Sequence, residues 1–194
     1  MKILILSDSH SKTINDINFK NYDFIFHLGD YGYSKEILDS NSNCLYVAGN
    51  CDFIGQKDII KDVNNIRFFL THGDKYNVKY QYNSLIYKAL SLDANICLFG
   101  HTHHADYFLR DNIIFINPGA YNDGNYVIID DKNITFYKYS NIIKKIEFKW
   151  WIKYEAFIIW NPTIRYFQFI SQENWLLFGF WDRIFRSIYE SNKP

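Results

Sequence analysis

Short apolar runs broken by polar turns dominate the first hundred positions. Ile3–Leu6, Phe24–Phe26, Leu45–Ala48, Ile66–Leu70 and Ile96–Phe99 each give way within two residues or so to Gly, Asp, Asn or His. Runs this short read as strands. After His104 the pattern turns to strand and turn, with Tyr107–Arg110, Ile113–Ile116, Tyr126–Ile129 and Ile134–Lys138 separated by Asp-Asn or Asp-Lys-Asn turns. One helix is predicted with Asn77 as its cap, because Val78, Tyr82, Leu85, Ile86 and Ala89 recur at three- and four-residue steps. Shorter helical turns fit Ile14–Phe19 and Ser34–Leu38. The sum is a sheet sandwich flanked by helices.

The residues that end the runs carry the chemistry. Asp8-Ser-His10, Gly29-Asp30, Gly49-Asn50, His72-Gly73 and Gly100-His101-Thr-His103 supply seven candidate metal ligands: Asp8, His10, Asp30, Asn50, His72, His101 and His103. Two divalent ions about 3.5–4 Å apart need oxygen and nitrogen ligands around both, with a carboxylate between them. Three carboxylate or amide side chains and four imidazoles meet that need. Asp8 and His10 are two residues apart, as are His101 and His103, so in extended chain each pair projects to one side. In open α/β sheets ligands gather outside the carboxyl ends of strands, and a set of unrelated core histidines has no reason to obey that rule at five separate places.

In order and placement these motifs resemble the calcineurin-like metallophosphoesterases, close to the small bacterial and archaeal phosphodiesterases of the YfcE type, over about residues 1–140. The resemblance implies an α/β fold (α+β in some schemes) of two mixed β-sheets packed as a sandwich between helices. It also implies that Asp8, His10, Asp30 and His103 hold one metal, and Asp30, Asn50, His72 and His101 the other, with Asp30 bridging. Manganese is the first expectation, with zinc, iron or nickel as alternatives, since one N/O cage accepts several metals. A metal-bound hydroxide would attack phosphorus in line, without a covalent intermediate, and Asp30, Asn50 and His72 would act through the metals. Asn50 suits the cage because an amide oxygen ligates without adding negative charge.

The chain departs from the wider superfamily at two places. Where many members read Gly-Asn-His, with the His thought to protonate the leaving group, this chain has Cys51, as the YfcE-like branch often does. A thiol with an ordinary pKa near ~8.5 is a poorer general acid than an imidazole near ~6.5, which favours substrates with good leaving groups. After Asn117-Pro-Gly119, related enzymes usually continue into a loop with a Pro-Arg pair facing the phosphate, whereas here Ala120–Asn125 leads straight into a strand. Arg110 is the nearest arginine, and its position places it in the preceding strand.

Length and charge set bounds. The 194 residues fit one ordinary domain with an appendage, and 21 basic against 21 acidic residues give a net charge of zero. Bulk electrostatics therefore offers nothing to nucleic acid or an anionic membrane, and the expected ligand is a small phosphoester. The three cysteines, Cys44, Cys51 and Cys97, have no zinc spacing and read as reduced thiols of a cytoplasmic protein. Ile3–Leu6 is too short for a signal peptide.

The composition changes near residue 146. All five tryptophans and 15 of the 38 aromatics fall in the last 48 residues. We therefore expect a catalytic domain at 1–146 and an aromatic-rich extension at 147–194, packed on the core, on a second copy or on a protein partner. Phe148 to Trp160 alternate as one face of a strand does, without excluding helix, and Asn161-Pro162 marks a turn. From Asn174 to Glu190 the residues Leu177, Trp181, Ile184, Phe185 and Ile188 share a helical face. The longest apolar run there, Trp175–Trp181, is too short to span a bilayer, which takes about 20 residues, and the extension's charge of +1, from six basic and five acidic residues, gives no membrane attraction.

Other residues have plainer readings. His27 sits inside an apolar strand and reads as a packing histidine; His104 reads as exposed or supporting. Asp52 and Asp74 either orient ligands or finish turns. The competing function is a metal-free interaction scaffold, since a retromer subunit shares the fold with an altered cage, but this chain keeps every expected ligand.

Overall fold

The computed structural model describes residues 1–147, 157–161 and 166–170. The chain divides into two compact units, Met1–Phe148 and Lys149–Pro194. In order, the first contains β1 (Ile3–Leu6), β2 (Phe24–His27), α1 (Lys35–Ser40), β3 (Cys44–Tyr46), β4 (Asp58–Val63), β5 (Ile66–Thr71), α2 (Asn83–Ser91), β6 (Ile96–Leu98), β7 (Ala105–Arg110), β8 (Ile113–Pro118), β9 (Asn125–Ile129), β10 (Asn133–Lys138) and β11 (Asn141–Glu147). The second contains an antiparallel pair, β12 (Phe157–Asn161) and β13 (Tyr166–Ile170). The strand-like alternation expected over 148–160 is met by β12 at its end. Residues 148–156, the turn beginning at Pro162 and the helix expected over 174–190 lie outside the described residues.

Two mixed sheets make the first unit. One runs β11-β10-β9-β1-β2-β3, the other β4-β5-β6-β8-β7. Within each, three neighbouring strands are parallel: β1, β2 and β3 in one, β5, β6 and β8 in the other. Parallel strands are covered on both faces, which is why Ile3, Leu4, Ile5 and Leu6 are all buried. One parity of the first sheet, with Leu4, Leu6 and Ile25, packs with Leu38 of α1. One parity of the second, with Phe69, Cys97 and Phe115, packs with Leu85 and Ala89 of α2. Between the sheets, Phe26 meets Phe68 edge-on at 5.6 Å. The expected sandwich flanked by helices is therefore the observed fold.

Local chemistry explains what the apolar pattern missed. The mixed sequence of β4 hides a strand that pairs antiparallel with β5 through a two-residue loop, Asn64-Asn65, with φ of 49° and 63°. Asp111-Asn112, at 49° and 61°, does the same between β7 and β8. Paired left-handed residues match the twist of a hairpin, and Asn and Asp tolerate that conformation well. The edge strand β11, nearly all exposed, shows no apolar alternation to read.

The predicted helix start is corrected. Asn77 does not cap α2; it follows a 3-10 turn at Asp74–Tyr76 and has φ 56°, while the helix begins at Asn83. Val78, Tyr82, Leu85, Ile86 and Ala89 nevertheless face one core cluster, because the loop carrying Val78 folds onto the same sheet face. The helix expected near Ile14–Phe19 is instead a 3-10 turn at Phe19–Asn21, and that near Ser34–Leu38 is α1, shifted by a residue or two.

Replacing Leu85, which is fully buried between α2 and its sheet, with alanine should lower the unfolding free energy by about 2–5 kcal/mol. Urea titration should show a lower midpoint with an unchanged slope. A loss under 1 kcal/mol, roughly, would mean the helix is not docked as described.

Candidate metal centre

The carboxyl ends of β1, β2, β3, β5 and β6 deliver all the candidate ligands. Asp8 follows β1, Asp30 follows β2, Asn50 follows β3, His72 follows β5 directly, and His101 and His103 follow β6. They do not arrive on extended chain. Asp8, His10, Asp30, His101 and His103 have φ of 52°, 47°, 53°, 70° and 63°. The pairs two residues apart therefore reach one site through left-handed turns rather than strand alternation, which corrects the extended-chain argument. Each such backbone costs of order 1–3 kcal/mol, and strain of this kind concentrates where function needs it.

Two glycines let the turns approach. A Cβ on Gly49 would lie 2.1 Å from Asp30 Oδ1 and 2.6 Å from the Asp30 nitrogen. Gly29, at φ 95°, would put one 2.6 Å from the Gly49 nitrogen and 2.8 Å from His72 Nδ1. The turns after β2 and β3 thus touch backbone to backbone beside the Asp30 carboxylate, with the His72 ring from the turn after β5 against them.

Burial grades across the site. Asp8 and His72 are fully buried and Asp30 nearly so, whereas His10 and His101 are half-buried and His103, Asn50 and Cys51 are exposed. The Asp8 carboxylate is split in role. Its Oδ2 accepts from Ser7 Oγ at 2.6 Å and from the His101 backbone N–H at 3.1 Å. Its Oδ1 is buried without a hydrogen-bond partner and faces the His103, His72 and His10 Nε2 atoms at 3.2, 3.9 and 4.0 Å.

The imidazoles converge likewise. His10 Nε2 and His103 Nε2 are 3.2 Å apart, and His72 Nε2 is 3.1 Å from His101 Nδ1 and 3.2 Å from Asn50 Oδ1. Facing nitrogen lone pairs at such distances repel unless a proton or a cation lies between them. His72 Nδ1 sits 2.7 Å from the Leu28 carbonyl, so that nitrogen holds the proton and Nε2 presents its lone pair inward. Burial pushes the His72 pKa down, but the Asp30 hydrogen bond and the Asp8 charge outweigh it and raise it overall. Burial also opposes ionisation of Asp30, yet His72 and the Cys51 N–H, which donates to Asp30 Oδ1 at 2.8 Å, hold its carboxyl well below the usual range. Burial and the neighbouring His72 lower His101.

Among the described residues, Asp8 with His10 and His103, Asp8 with Asp30 and His72, and His10 with Asp30 and Cys51 form groups whose ligand atoms fall within 4.8 Å of one another. An anionic, partnerless oxygen surrounded by imidazole nitrogens and a second carboxylate fits borderline divalent cations. Asp8 belongs to two of the three groups, as does Asp30, so in this geometry the two are equally central.

Supporting residues sort out clearly. Asp52 Oδ2 accepts from the backbone N–H of Asp30 at 2.7 Å and of Gly49 at 2.8 Å, so it orients ligand turns. Asp74 pairs with Lys57 at 3.9 Å and helps form the turn before Asn77. His27 is buried in β2, with Nε2 3.0 Å from Ser9 Oγ, and packs rather than ligates; burial lowers its pKa to about 3. His104 is exposed. The Cys51 thiol is raised by burial and then by Asp30 beside it, which weakens it further as an acid.

Ser7 and Asn117 were not singled out from the sequence. Asn117 donates to the Gly100 carbonyl at 2.9 Å and to Thr102 Oγ1 at 3.0 Å, fixing the turn that carries His101 and His103. Its only signal was its place in Asn-Pro-Gly. The loop lacking the Pro-Arg pair caps β1 instead: the Tyr121 and Asn122 amides donate to the Ser7 and Asp8 carbonyls at 2.7 and 3.2 Å. Both arginines among the described residues lie elsewhere, Arg67 paired with Asp62 and Arg110 with Asp111. No helix among the described residues is long and apolar enough to cross a membrane.

Comparison with known proteins agrees with this architecture. Residues 1–130 match the calcineurin-like phosphoesterase superfamily domain. A probable metallophosphoesterase of Mycoplasma genitalium is 36% identical over 127 residues, covering 62% of this chain and 77% of that protein. A phosphodiesterase of Methanocaldococcus jannaschii is 29% identical over 145 residues, covering 61% and 83%. Among solved structures, a conserved Streptococcus pneumoniae protein of predicted phosphoesterase class superposes with a TM-score of 0.63 at 26% identity, covering 76% of this chain and 96% of that one. Zinc-complexed Vps29 of Entamoeba histolytica superposes at 0.61 with 18% identity, over 76% and 99%, which speaks for the fold alone. Since the matched span takes in every candidate ligand from Asp8 to His103, the chain belongs to the calcineurin-like phosphoesterase superfamily, a family of phosphoester hydrolases.

Proposed function

We propose that the chain is a metal-dependent phosphodiesterase in which Asp8, His10, Asp30, Asn50, His72, His101 and His103 hold two divalent ions for in-line attack at phosphorus. The observation that carries this reading is the buried Asp8 Oδ1, without a hydrogen-bond partner and ringed by imidazole nitrogens. Two ions in such a cage would supply a nucleophilic water at neutral pH and neutralise charge on the phosphoryl oxygens. Manganese is our first expectation, with zinc, iron or nickel as alternatives.

The chain's own groups have distinct tasks. Asp8 and Asp30 provide the negative charge; Asn50 adds an oxygen without more of it. Ser7, Asp52 and Asn117 fix the turns, so the ligands need not reorganise during turnover. Cys51 stands where a leaving-group acid would act but holds its proton tightly, which directs the site to diesters whose alcohol leaves readily. Residues 1–146 would be the catalytic domain and 147–194 an appended element for self-association or a protein partner. A scaffold role finds support only in the fold likeness to Vps29.

Elemental analysis of the purified chain should find up to two transition-metal ions, and bis(p-nitrophenyl) phosphate should be hydrolysed only when metal is present. Absence of metal uptake by the wild type would overturn the proposal. Asp30→Asn should bind metal about 10- to 100-fold more weakly, with at least that loss in kcat/KM.

Gly49→Ala should also weaken metal binding about tenfold or more by displacing the Asp30 carboxylate, with circular dichroism unchanged. Wild-type affinity in a calorimetric titration would show that Asp30 is free to move aside.

Cys51→His should raise kcat/KM for poor leaving groups, such as alkyl phosphodiesters, by roughly 100-fold while changing p-nitrophenyl esters far less. Equal effects on both classes would remove position 51 from leaving-group protonation.

A further inference from the structure

Beside the ligand turn after β6 lies a cleft of about 540 Å³, lined by Val78, Lys79, Tyr80, Tyr82, Thr102, His104, Ala105 and Asp106. Its walls are the loop between the 3-10 turn and α2 and the loop running from His101 into β7. The floor is fixed: Tyr82 donates to Asp106 Oδ2 at 3.0 Å and stacks on Phe108 with ring centres 5.0 Å apart. The rim is open, with Tyr80 89% exposed although it is a large aromatic side chain. Thr102 lies between the ligands His101 and His103, so the cleft begins where the metal centre ends.

We infer that this cleft holds the ester substituent that stays on phosphorus, and that its chemistry selects a nucleoside: a flat, hydrogen-bonding group stacked on Tyr80, with Lys79 at the phosphate end. This rests on the phosphodiesterase reading. Three features carry it. First, only a diester has a second organic substituent to place, and the cleft shares no residue with the group of His10, Asp30 and Cys51 where the leaving alcohol would depart.

Second, the cation is in place. Both described arginines are paired with carboxylates, Arg67 with Asp62 and Arg110 with Asp111, while Lys79 lines the cleft together with Thr102 of the ligand turn. It stands in for the absent Pro-Arg pair as a single point charge next to the phosphate. Third, the lining includes the Asp106 carboxylate, which repels a further phosphate and, beside the Tyr82 hydroxyl it already holds, can accept from ring N–H or hydroxyl groups. An uncharged, polar, planar group satisfies all three; a nucleotide polyphosphate or a plain alkyl chain does not.

The test compares two substrates with one leaving group, thymidine 5′-(p-nitrophenyl) phosphate and methyl p-nitrophenyl phosphate, at saturating manganese. The wild type should prefer the thymidine ester by tenfold or more in kcat/KM, and Tyr80→Ala should cut that preference by about five- to tenfold with metal content intact. Lys79→Ala should lower kcat/KM on both esters about tenfold, chiefly in KM. If both esters are hydrolysed with no preference, or the preference survives Tyr80→Ala, the cleft assignment falls while the phosphodiesterase reading stands. If neither ester is hydrolysed, that reading falls, and calorimetry with thymidine 5′-monophosphate decides the cleft. Binding weakened five- to tenfold or so by Tyr80→Ala supports it, and equal or undetectable binding overturns it.

Discussion

A buried carboxylate with one oxygen satisfied and the other bare is the constraint around which the first unit is organised. Leaving such a group unpaired costs several kcal/mol, more than most single contacts return. Asp8 Oδ2 is closed off by Ser7 and the His101 amide, so Oδ1 can be compensated only from the side where the imidazoles stand. Ser7 and Asp8 follow β1, which lies at the middle of its sheet; the amide comes from the turn after β6, in the other sheet. The carboxylate thus holds the carboxyl ends of both sheets to one place, and the sandwich can be seen as the frame that keeps them there.

The frame absorbs the strain. Five of the candidate ligands sit at positive φ, each at a cost of order 1–3 kcal/mol. Offsetting this are parallel strands covered on both faces and a Phe26–Phe68 contact that locks the sheets just beneath the turns. The direction of this trade explains why the ligands sit beyond the strand ends. A residue inside a strand has no freedom to adopt a left-handed backbone without breaking its ladder, and His27, the one histidine that stays in the ladder, packs and does not ligate.

What was legible in the sequence follows from this division. The candidate ligands could be singled out because each follows an apolar run, and burial on both faces makes such runs conspicuous: Ile3–Leu6 and Ile96–Phe99 match β1 and β6 at nearly every residue. Strands outside that double cover were harder. The mixed polarity of β4 and the exposed face of β11 leave no apolar signal, although the Asn64-Asn65 turn marked the first. Asn77 misled because Asn favours both a helix cap and a left-handed turn, and the apolar spacing downstream suited either. Ser7, Asn117 and the backbone-holding role of Asp52 depend on which loops meet, and no spacing along one chain contains that information.

The same division separates reaction from selectivity. The proposed cage is built around buried groups, Asp8, Asp30 and His72, whose alternatives are costly, so ligand types alone point to the class of chemistry. The residues proposed to meet the substrate, Cys51, Lys79 and Tyr80, are exposed and lie on loops, so their replacement leaves the core untouched. A chain with zero net charge cannot draw substrates in by its overall field, so discrimination has to come from short-range placement beside the metal centre. If the cleft takes a substituent as proposed, an acidic group and a single lysine in its lining favour a substrate with one phosphate over one with several. Selectivity of that kind arises from what the cleft repels as much as from what it holds.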